Sequence, residues 1–313
     1  MDAAVARMTP SEERARGAAF SGDLRIIHNP AAGRRRQRLF ERTIRRLRGH
    51  GGLTVARTAA PGDAEALARR AVAEGCARVV AAGGDGTINE VINGLAGSGV
   101  PLAILPLGTA NVLAREIGLA ADPDRVAETI TQGVPRPISL GRVTSEAGQG
   151  HCFSLMAGAG LDAHIVADVD LALKRRIGKG AYVAQFLRQL FVFRFPRYRV
   201  ILDGAEHEAA SVVIAKARHY AGPYVCAPEA RLTDTAFHVC LFARGGPLAA
   251  LRYGMALTGG RLAGRSDYRI LRAGHVRIEG PADDPVQGDG DVIAALPLEV
   301  EMVPKAIELV MPG

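Results

Sequence analysis

Three observations predict an α/β domain on a parallel sheet, followed by a β-rich domain. The first is Val79–Asn111, VVAAGGDGTINEVINGLAGSGVPLAILPLGTAN. An apolar run there ends in Gly83-Gly84-Asp85-Gly86-Thr87, a helix-like segment follows, and a second apolar run ends at Gly108-Thr109-Ala110-Asn111. The second is that strand-like and helix-like segments already alternate from Leu24 onward, the pattern of a parallel sheet with right-handed crossovers. The third is a change of texture after Pro137, where short β-branched and apolar segments recur between turns, as antiparallel structure requires.

Taken in order, Leu24–His28 reads as a strand running into Asn29-Pro30-Ala31-Ala32-Gly33. Arg34–Leu47 places Leu39, Phe40, Ile44 and Leu47 near a 3.6-residue period, so an amphipathic helix is expected, with its arginines on the solvated face. Leu53–Thr58 is a second strand. Pro61-Gly62-Asp63 opens a helix through Ala73, with Asp63 expected as its N-cap. Asp122–Gln132 is helical and stops near Gly133, Pro135 and Pro137. Beyond it, strands are expected at Ile138–Val143, Cys152–Ala157, Arg199–Leu202, Ser211–Ala215, Ala236–Phe242 and Val276–Glu279. Helical patches are expected at Ala163–Leu190 and Pro247–Thr258.

The 313 residues are 48% hydrophobic and 23% charged, an ordinary globular composition that suits one large or two modest domains. The formal net charge of +7 favours anionic partners, with nucleic acid, acidic lipid and phosphorylated small molecules all open on charge alone. No recognised nucleic-acid motif accompanies the charge, so nucleic acid is not expected. Cys76, Cys152, Cys226 and Cys240 show no C-x-x-C pairing and read as buried thiols of a reduced, cytoplasmic protein. Residues 1–22 lack a signal-peptide core and are expected to be a disordered tail. No apolar run reaches the roughly 18 residues of a membrane span.

Glycine turns at strand ends let backbone amides approach phosphate, and the following helix N-terminus adds a favourable dipole. Asn29-Pro30-x-x-Gly33 alone is compatible with any loop. In Gly83–Thr87 a carboxylate set among glycines suits Mg²⁺ beside a phosphate chain, and a plain β-turn explains it too. No G-K-[ST] closes this turn and no G-x-G-x-x-G is present, which excludes a Walker loop and a dinucleotide fingerprint. Three such turns in one domain favour a polyphosphate site. Gly288-Asp289-Gly290-Asp291 reads either as a hairpin turn or as a loop carrying a carboxylate base. Tyr182–Phe195 is the densest aromatic stretch in a chain with 5% aromatics. Its Val183, Phe186, Leu187 and Leu190 share a helical face that suits core packing or a lipid-facing rim.

Six motifs in order resemble the diacylglycerol kinase catalytic-domain superfamily, and most closely its soluble bacterial lipid kinases, which are also similar to sphingosine and ceramide kinases. They are NPAAG (Asn29–Gly33), GGDGTINE (Gly83–Glu90), PLGTAN (Pro106–Asn111), AGAGLDA (Ala157–Ala163), APEARLTD (Ala227–Asp234) and GDGD (Gly288–Asp291). The resemblance implies an ATP-binding α/β domain over 23–141, a lipid- and metal-binding β-sandwich domain over 142–299, and a segment near 300–313 returning to the first domain. ATP would lie in the cleft between the domains. It implies ATP contacts from Asn29, Pro30, Gly33, Thr58, Gly84, Asp85, Gly86, Thr87, Asn89, Glu90, Gly108, Thr109 and Asn111. Asp85 would act through Mg²⁺ and the phosphates. A structural Mg²⁺ would sit on the Asp234 carboxylate and the backbone oxygens of Arg231 and Ala236. Asp291 would be the general base, with Asp289 beside it.

Three departures stand out against that pattern. The base reads Asp291 where relatives have Glu, Ser139-Leu140-Gly141 replaces an Asp-Ile-Gly turn whose carboxylate supports metal or water, and Val112 replaces an Asp after Asn111. The implied activity is ATP-dependent phosphorylation of a lipid hydroxyl, diacylglycerol-like or sphingoid. It takes place at the inner membrane face by peripheral association, and relatives form homodimers. The competing readings are an NAD-kinase-like small-molecule kinase and a catalytically weakened, membrane-associated nucleotide-binding regulator.

Overall fold

In the computed structural model, residues 22–32, 36–49, 52–145, 150–169 and 180–313 are described. Gly33, the start of the expected helix at Arg34, residues 1–21 of the expected tail and the middle of the patch expected at Ala163–Leu190 lie outside these residues. Strands β1 (Leu24–His28), β2 (Leu53–Arg57), β3 (Arg78–Gly83) and β4 (Leu102–Pro106) alternate with helices α1 (Gln37–Leu47), α2 (Asp63–Ala73) and α3 (Asp85–Leu95). They are followed by α4 (Val112–Glu116) and α5 (Pro123–Gln132). The four strands run parallel in the order β2-β1-β3-β4. Every residue of β3 and β4 is buried, as expected for a sheet covered on both faces. Ile88, Val91, Ile92 and Leu95 of α3 seal one of those faces.

Helix starts follow their caps with one correction. Asp122 accepts the Asp124 and Arg125 amides and Pro123 opens α5. Asp63 does not cap α2. That position is held by Gly62 in the left-handed region, while the Asp63 carboxylate reaches back to the Ala59 and Ala60 amides and pins the incoming turn.

The second half contains β5 (Val134–Ser145), β6 (Gly150–Phe153), β7 (Met156–Ala159), α6 (Leu161–Ala167), α7 (Gly180–Val192), β8 (Tyr198–Leu202), β9 (Ala205–Ala209) and β10 (Ser211–Ala215). The short pair β11 (His219–Tyr220) and β12 (Tyr224–Val225) comes next, then β13 (Phe237–Phe242) and α8 (Pro247–Thr258). The chain ends with β14 (Tyr268–Ala273), β15 (His275–Glu279), β16 (Pro285–Gly288), β17 (Asp291–Ala295) and β18 (Leu298–Met311). Strands β14-β13-β10-β7-β16-β17 form an antiparallel sheet. It faces β5, β8, β15 and β18 across a core that includes Phe153, Tyr198, Ile214, Phe237, Val276 and Val300, which makes a β-sandwich.

The first sheet does not stop at β4. β18 joins it through Leu309↔Leu102 and continues antiparallel along β5, so one sheet passes from the α/β half into the sandwich. The expected strand at Ile138–Val143 therefore starts earlier, at Val134. Its Pro135 and Pro137 are tolerated because β5 has a neighbour on one side only until β6 joins at Gly141. The expected strand at Cys152–Ala157 is broken at Ser154-Leu155, whose amides turn to another purpose.

Candidate active site

The three glycine turns converge. Leu107 and Gly108 donate their amides to Gly83 O at 2.9 and 3.2 Å, tying the turn after β4 to the turn after β3. Asn29 Nδ2 donates to Thr87 Oγ1 at 3.0 Å, and Asn29 Oδ1 accepts the Ala31 and Ala32 amides at 2.9 and 3.3 Å, so this side chain folds its own turn onto α3. The backbones of Gly84 and Gly108 are in contact. A Cβ on Gly108 would stand 2.5 Å from Gly84 Cα, and one on Gly84 would stand 3.3 Å from Gly108 Cα. Around this cradle the first amides of α3 lack intrahelical acceptors. Asn111, held at φ 48°, donates Nδ2 to Gly108 O, and its buried Oδ1 has no partner among the described residues. A glycine cradle with free amides and an orphaned oxygen fits a polyphosphate and its cation.

Other expected contacts are placed differently. Asp85 Oδ1 accepts the Val112 amide at 2.6 Å, so the carboxylate anchors the start of α4 and the second turn with it. Burial pushes its pKa up, and the Val112, Asn111 and Leu113 amides oppose this. Glu90 Oε2 takes the Ala64 amide at 3.0 Å and braces α2. Thr58 donates its amide to His28 O. Pro30 and Thr109 are exposed at the rim.

Asp289 and Asp291 separate into two roles. The hairpin reading of the GDGD stretch holds. Asp289 (φ 52°) and Gly290 (φ 95°) form the hairpin turn between β16 and β17, and Asp291 is exposed where the returning strand begins. A Cβ added at Gly86 would lie 3.1 Å from Asp291 Oδ2, so this carboxylate overhangs the first turn of α3.

Asp289 points inward. Its Oδ1 accepts the Leu155 and Met156 amides, both at 2.9 Å. Its Oδ2 accepts the Ser154 amide at 2.7 Å, Ser154 Oγ at 2.9 Å and Asn89 Nδ2 at 3.1 Å. That is why the strand breaks at Ser154-Leu155. Burial raises the Asp289 pKa and the Ser154, Met156 and Leu155 donors lower it. Asn89, expected at ATP, spends its amide here. Asn93, one turn on, donates to Asn89 Oδ1 at 2.6 Å and Cys152 O at 2.9 Å, and accepts the Cys152 amide at 2.9 Å.

Further residues at the site went unread in the sequence. Gln287 Nε2 donates to Asp162 Oδ2 at 3.1 Å, while Gln287 Oε1 takes the Gly290 amide at 3.0 Å, so a buried carboxylate steadies the hairpin that presents Asp291. Burial pushes the Asp162 carboxyl up to about 6. The polar residue immediately before the GDGD turn is the available signal.

The Asp234 loop does not fit a divalent cation. Asp234 Oδ2 already accepts the Arg231 amide at 3.0 Å and meets His238 Nε2 at 3.1 Å, while Arg231 O takes the Asp234 amide at 3.0 Å. The buried Lys216 ammonium donates to Asp234 O at 2.6 Å, although burial draws its pKa down to about 8. Ser139, which replaces the expected acidic residue, is buried and gives its amide to Leu232 O of the same loop. The Lys216 ammonium, held on the Asp234 backbone carbonyl, is a fixed positive charge where a divalent cation would have to sit.

Comparison with known proteins agrees with this geometry. Residues 23–143 match the model of the diacylglycerol kinase catalytic domain, and residues 156–311 match that of the YegS C-terminal NAD kinase beta sandwich-like domain. The chain is 31% identical to a diacylglycerol kinase of Mycobacterium tuberculosis over 80% of this chain and 82% of that one. It belongs to the diacylglycerol kinase superfamily. A diacylglycerol kinase of Bacillus subtilis is 30% identical over 92% of this chain and 96% of its own. A crystal structure of a diacylglycerol kinase from Bacillus anthracis shares the fold with a TM-score of 0.75 and 22% identity, covering 93% of this chain and 97% of that one. Membership makes the chain part of a lipid-kinase family. Among the described residues no helix is long and apolar enough to cross a membrane.

Proposed function

We propose that this superfamily member transfers the γ-phosphoryl group of ATP to the hydroxyl of a diacylglycerol-like or sphingoid lipid. One observation carries the reading. A free carboxylate, Asp291, overhangs the N-terminus of α3 at the point where the glycine turns would hold the phosphates. Phosphoryl transfer asks the protein for position and charge more than for covalent chemistry. The lipid oxygen attacks the γ-phosphorus, the bond to the β–γ bridging oxygen breaks, and ADP leaves with that electron pair. Asp291 accepts the hydroxyl proton. Asp85 sets the second turn against the first, and Asp289 fixes the hairpin. Mg²⁺, when bound with the nucleotide, neutralises the β- and γ-phosphates. Asp85 and Asn111 Oδ1 are the oxygen donors at the cradle.

The test is transfer of label from γ-labelled ATP to a panel of diacylglycerol, monoacylglycerol, ceramide, sphingosine and phosphatidylglycerol, with NAD as control. Label in a lipid supports the reading. Label in NAD alone assigns a small-molecule kinase, and label nowhere assigns a nucleotide-binding regulator.

A further inference from the structure

Helix α7 is built inside out. Gln185 and Gln189 face the interior at 7% and 2% exposure, with Gln189 Nε2 on Asp168 Oδ2 at 2.8 Å. Val183, Leu187 and Phe191, spaced i, i+4, i+8, face outward at 60%, 50% and 88%. Of the stretch expected at core or rim, Leu190 and Phe193 pack inward, and Phe193 lies against the His164 ring. Neighbouring α8 repeats the arrangement with Leu248, Leu251 and Met255, and the two helices meet where Gly254 faces the Phe186 ring. Among the described residues, seven of the nine large hydrophobic side chains left exposed belong to this pair of helices. Scattered exposed apolar residues mean little, but two stripes on touching helices mark a contact surface.

The charge around the stripes names the contact. Residues 180–197 and 244–266 contain seven arginines and no Asp or Glu. Three of them, Arg252, Arg261 and Arg265, surround an open concavity of about 290 Å³ floored by Met255 and Ala256. Arg265 is braced by Asp267 at 2.8 and 2.9 Å and lies over the Tyr253 ring, which stiffens one wall. Arg252 and Arg261 are exposed, with no ion pair among the described residues.

An apolar stripe flanked by unpaired guanidinium groups complements a bilayer whose surface carries phosphate. The geometry points to the α7–α8 face as the surface that docks on an anionic phospholipid bilayer, with the Arg252–Arg261–Arg265 concavity taking one lipid phosphate headgroup. The inference rests on the lipid-kinase reading for its purpose, because an acceptor dissolved in a membrane must be reached there. The face is joined to the candidate base. α7 holds α6 through Asp168 and His164, α6 carries Asp162, and Asp162 bonds Gln287 beneath the Asp291 hairpin.

The test is sedimentation with phosphatidylcholine vesicles, with and without phosphatidylglycerol. It compares the full chain, the pair Leu187→Ser/Phe191→Ser and the pair Arg252→Gln/Arg261→Gln, each first shown to melt like the parent. The parent is expected to prefer phosphatidylglycerol vesicles and to lose the preference in high salt. The arginine pair should weaken that binding roughly 30-fold while leaving binding to phosphatidylcholine alone unchanged. The apolar pair should weaken both by about tenfold or more. Parent-like binding by both pairs overturns the proposal. So does a parent that is dimeric without vesicles and an apolar pair that is monomeric, which would assign the face to a second copy. Turnover on a micellar acceptor is read in parallel. Vesicle binding through this face without lipid phosphorylation sinks the kinase reading alone, and lipid phosphorylation with parent-like vesicle binding by both pairs sinks the docking face alone.

Discussion

Replacing Asp289 by Asn tests whether this residue is a scaffold. Both carboxylate oxygens are used. Leu155 and Met156 amides point at one, and the Ser154 amide, Ser154 Oγ and Asn89 Nδ2 point at the other. An Asn side chain puts an NH₂ on one of the two sides, so whichever way it turns, two N–H donors face another donor. Ser154 Oγ can reverse its role, but amides cannot. Each stranded buried donor costs about 1–3 kcal/mol, so Asp289→Asn should lose about 4 kcal/mol of stability. For a chain of this size that lowers the melting temperature by roughly 6 °C. Asp291→Asn changes an exposed side chain and should stay within about 0.5 kcal/mol of the parent, yet abolish turnover with ATP binding largely intact. Scanning calorimetry, nucleotide binding and turnover on the three proteins separate the roles. An Asp289→Asn protein that melts like the parent refutes the scaffold argument, and unchanged turnover in Asp291→Asn removes it as the base.

Gly108→Ala forces a Cβ to 2.5 Å from Gly84 Cα and 2.9 Å from Asn111 Oδ1, against backbone that has no flexible end to yield. It should cost about 1–3 kcal/mol of stability and at least about tenfold in affinity for ATP, measured by calorimetric titration, and parent-like affinity would count against the cradle. Asp162, raised to about 6 from an ordinary 3.8, favours its neutral form in the fold. Its stabilising contribution is complete below the unfolded value and lost as pH rises through the folded one, about 3 kcal/mol in all. Melting temperatures of the parent should therefore fall relative to Asp162→Asn as pH rises from 3.8 to about 6, and parallel profiles across that window would refute this. EDTA in the absence of nucleotide should leave the melting temperature of the parent within about 1 °C, because the Lys216 ammonium on the Asp234 backbone carbonyl already places a cation in that loop. A clear drop that Asp234→Asn abolishes would show a metal on that loop.

The parts legible in the sequence are those whose signal is local. The glycine turns, the strand–helix alternation and the Asp-Gly hairpin each lie within a few consecutive residues, and where these are described they take the expected form. The Asp289 nest was not legible, since its donors at 154–156 are more than a hundred positions away and carry no side-chain signature except Ser154. Periodicity groups Val183, Phe186, Leu187 and Leu190 on one face of α7, but the structure splits them, with Val183 and Leu187 exposed and Leu190 buried, because periodicity cannot tell which side of a helix meets the protein. Asp168 decides that by drawing Gln189 inward. Ser139 and Lys216 show the same limitation. Only the fold brings them to one loop, where the Ser139 amide bonds Leu232 O and the Lys216 ammonium bonds Asp234 O.

In the proposed reaction, helix α3 is the element against which the phosphoryl donor and the Asp291 base are both positioned. Its first turn, Asp85-Gly86-Thr87, forms part of the glycine cradle, is bonded to the turn after β1 by Asn29 and lies under Asp291. One turn later Asn89 bonds Asp289, and a further turn on Asn93 grips Cys152 from both its amide and its carbonyl. A helix is stiff along its axis, so these contacts set the distance between the phosphate cradle and the hairpin at a fixed number of turns. The Gly83–Thr87 turn is therefore more than a nucleotide signature. The Ile88–Asn93 segment that follows it carries the ruler, and shortening Asn93 to Ala should separate donor from base without touching either. That substitution should lower turnover at saturating ATP and acceptor far more than it lowers ATP affinity, whereas equal losses in both would mean that α3 merely supports the cradle.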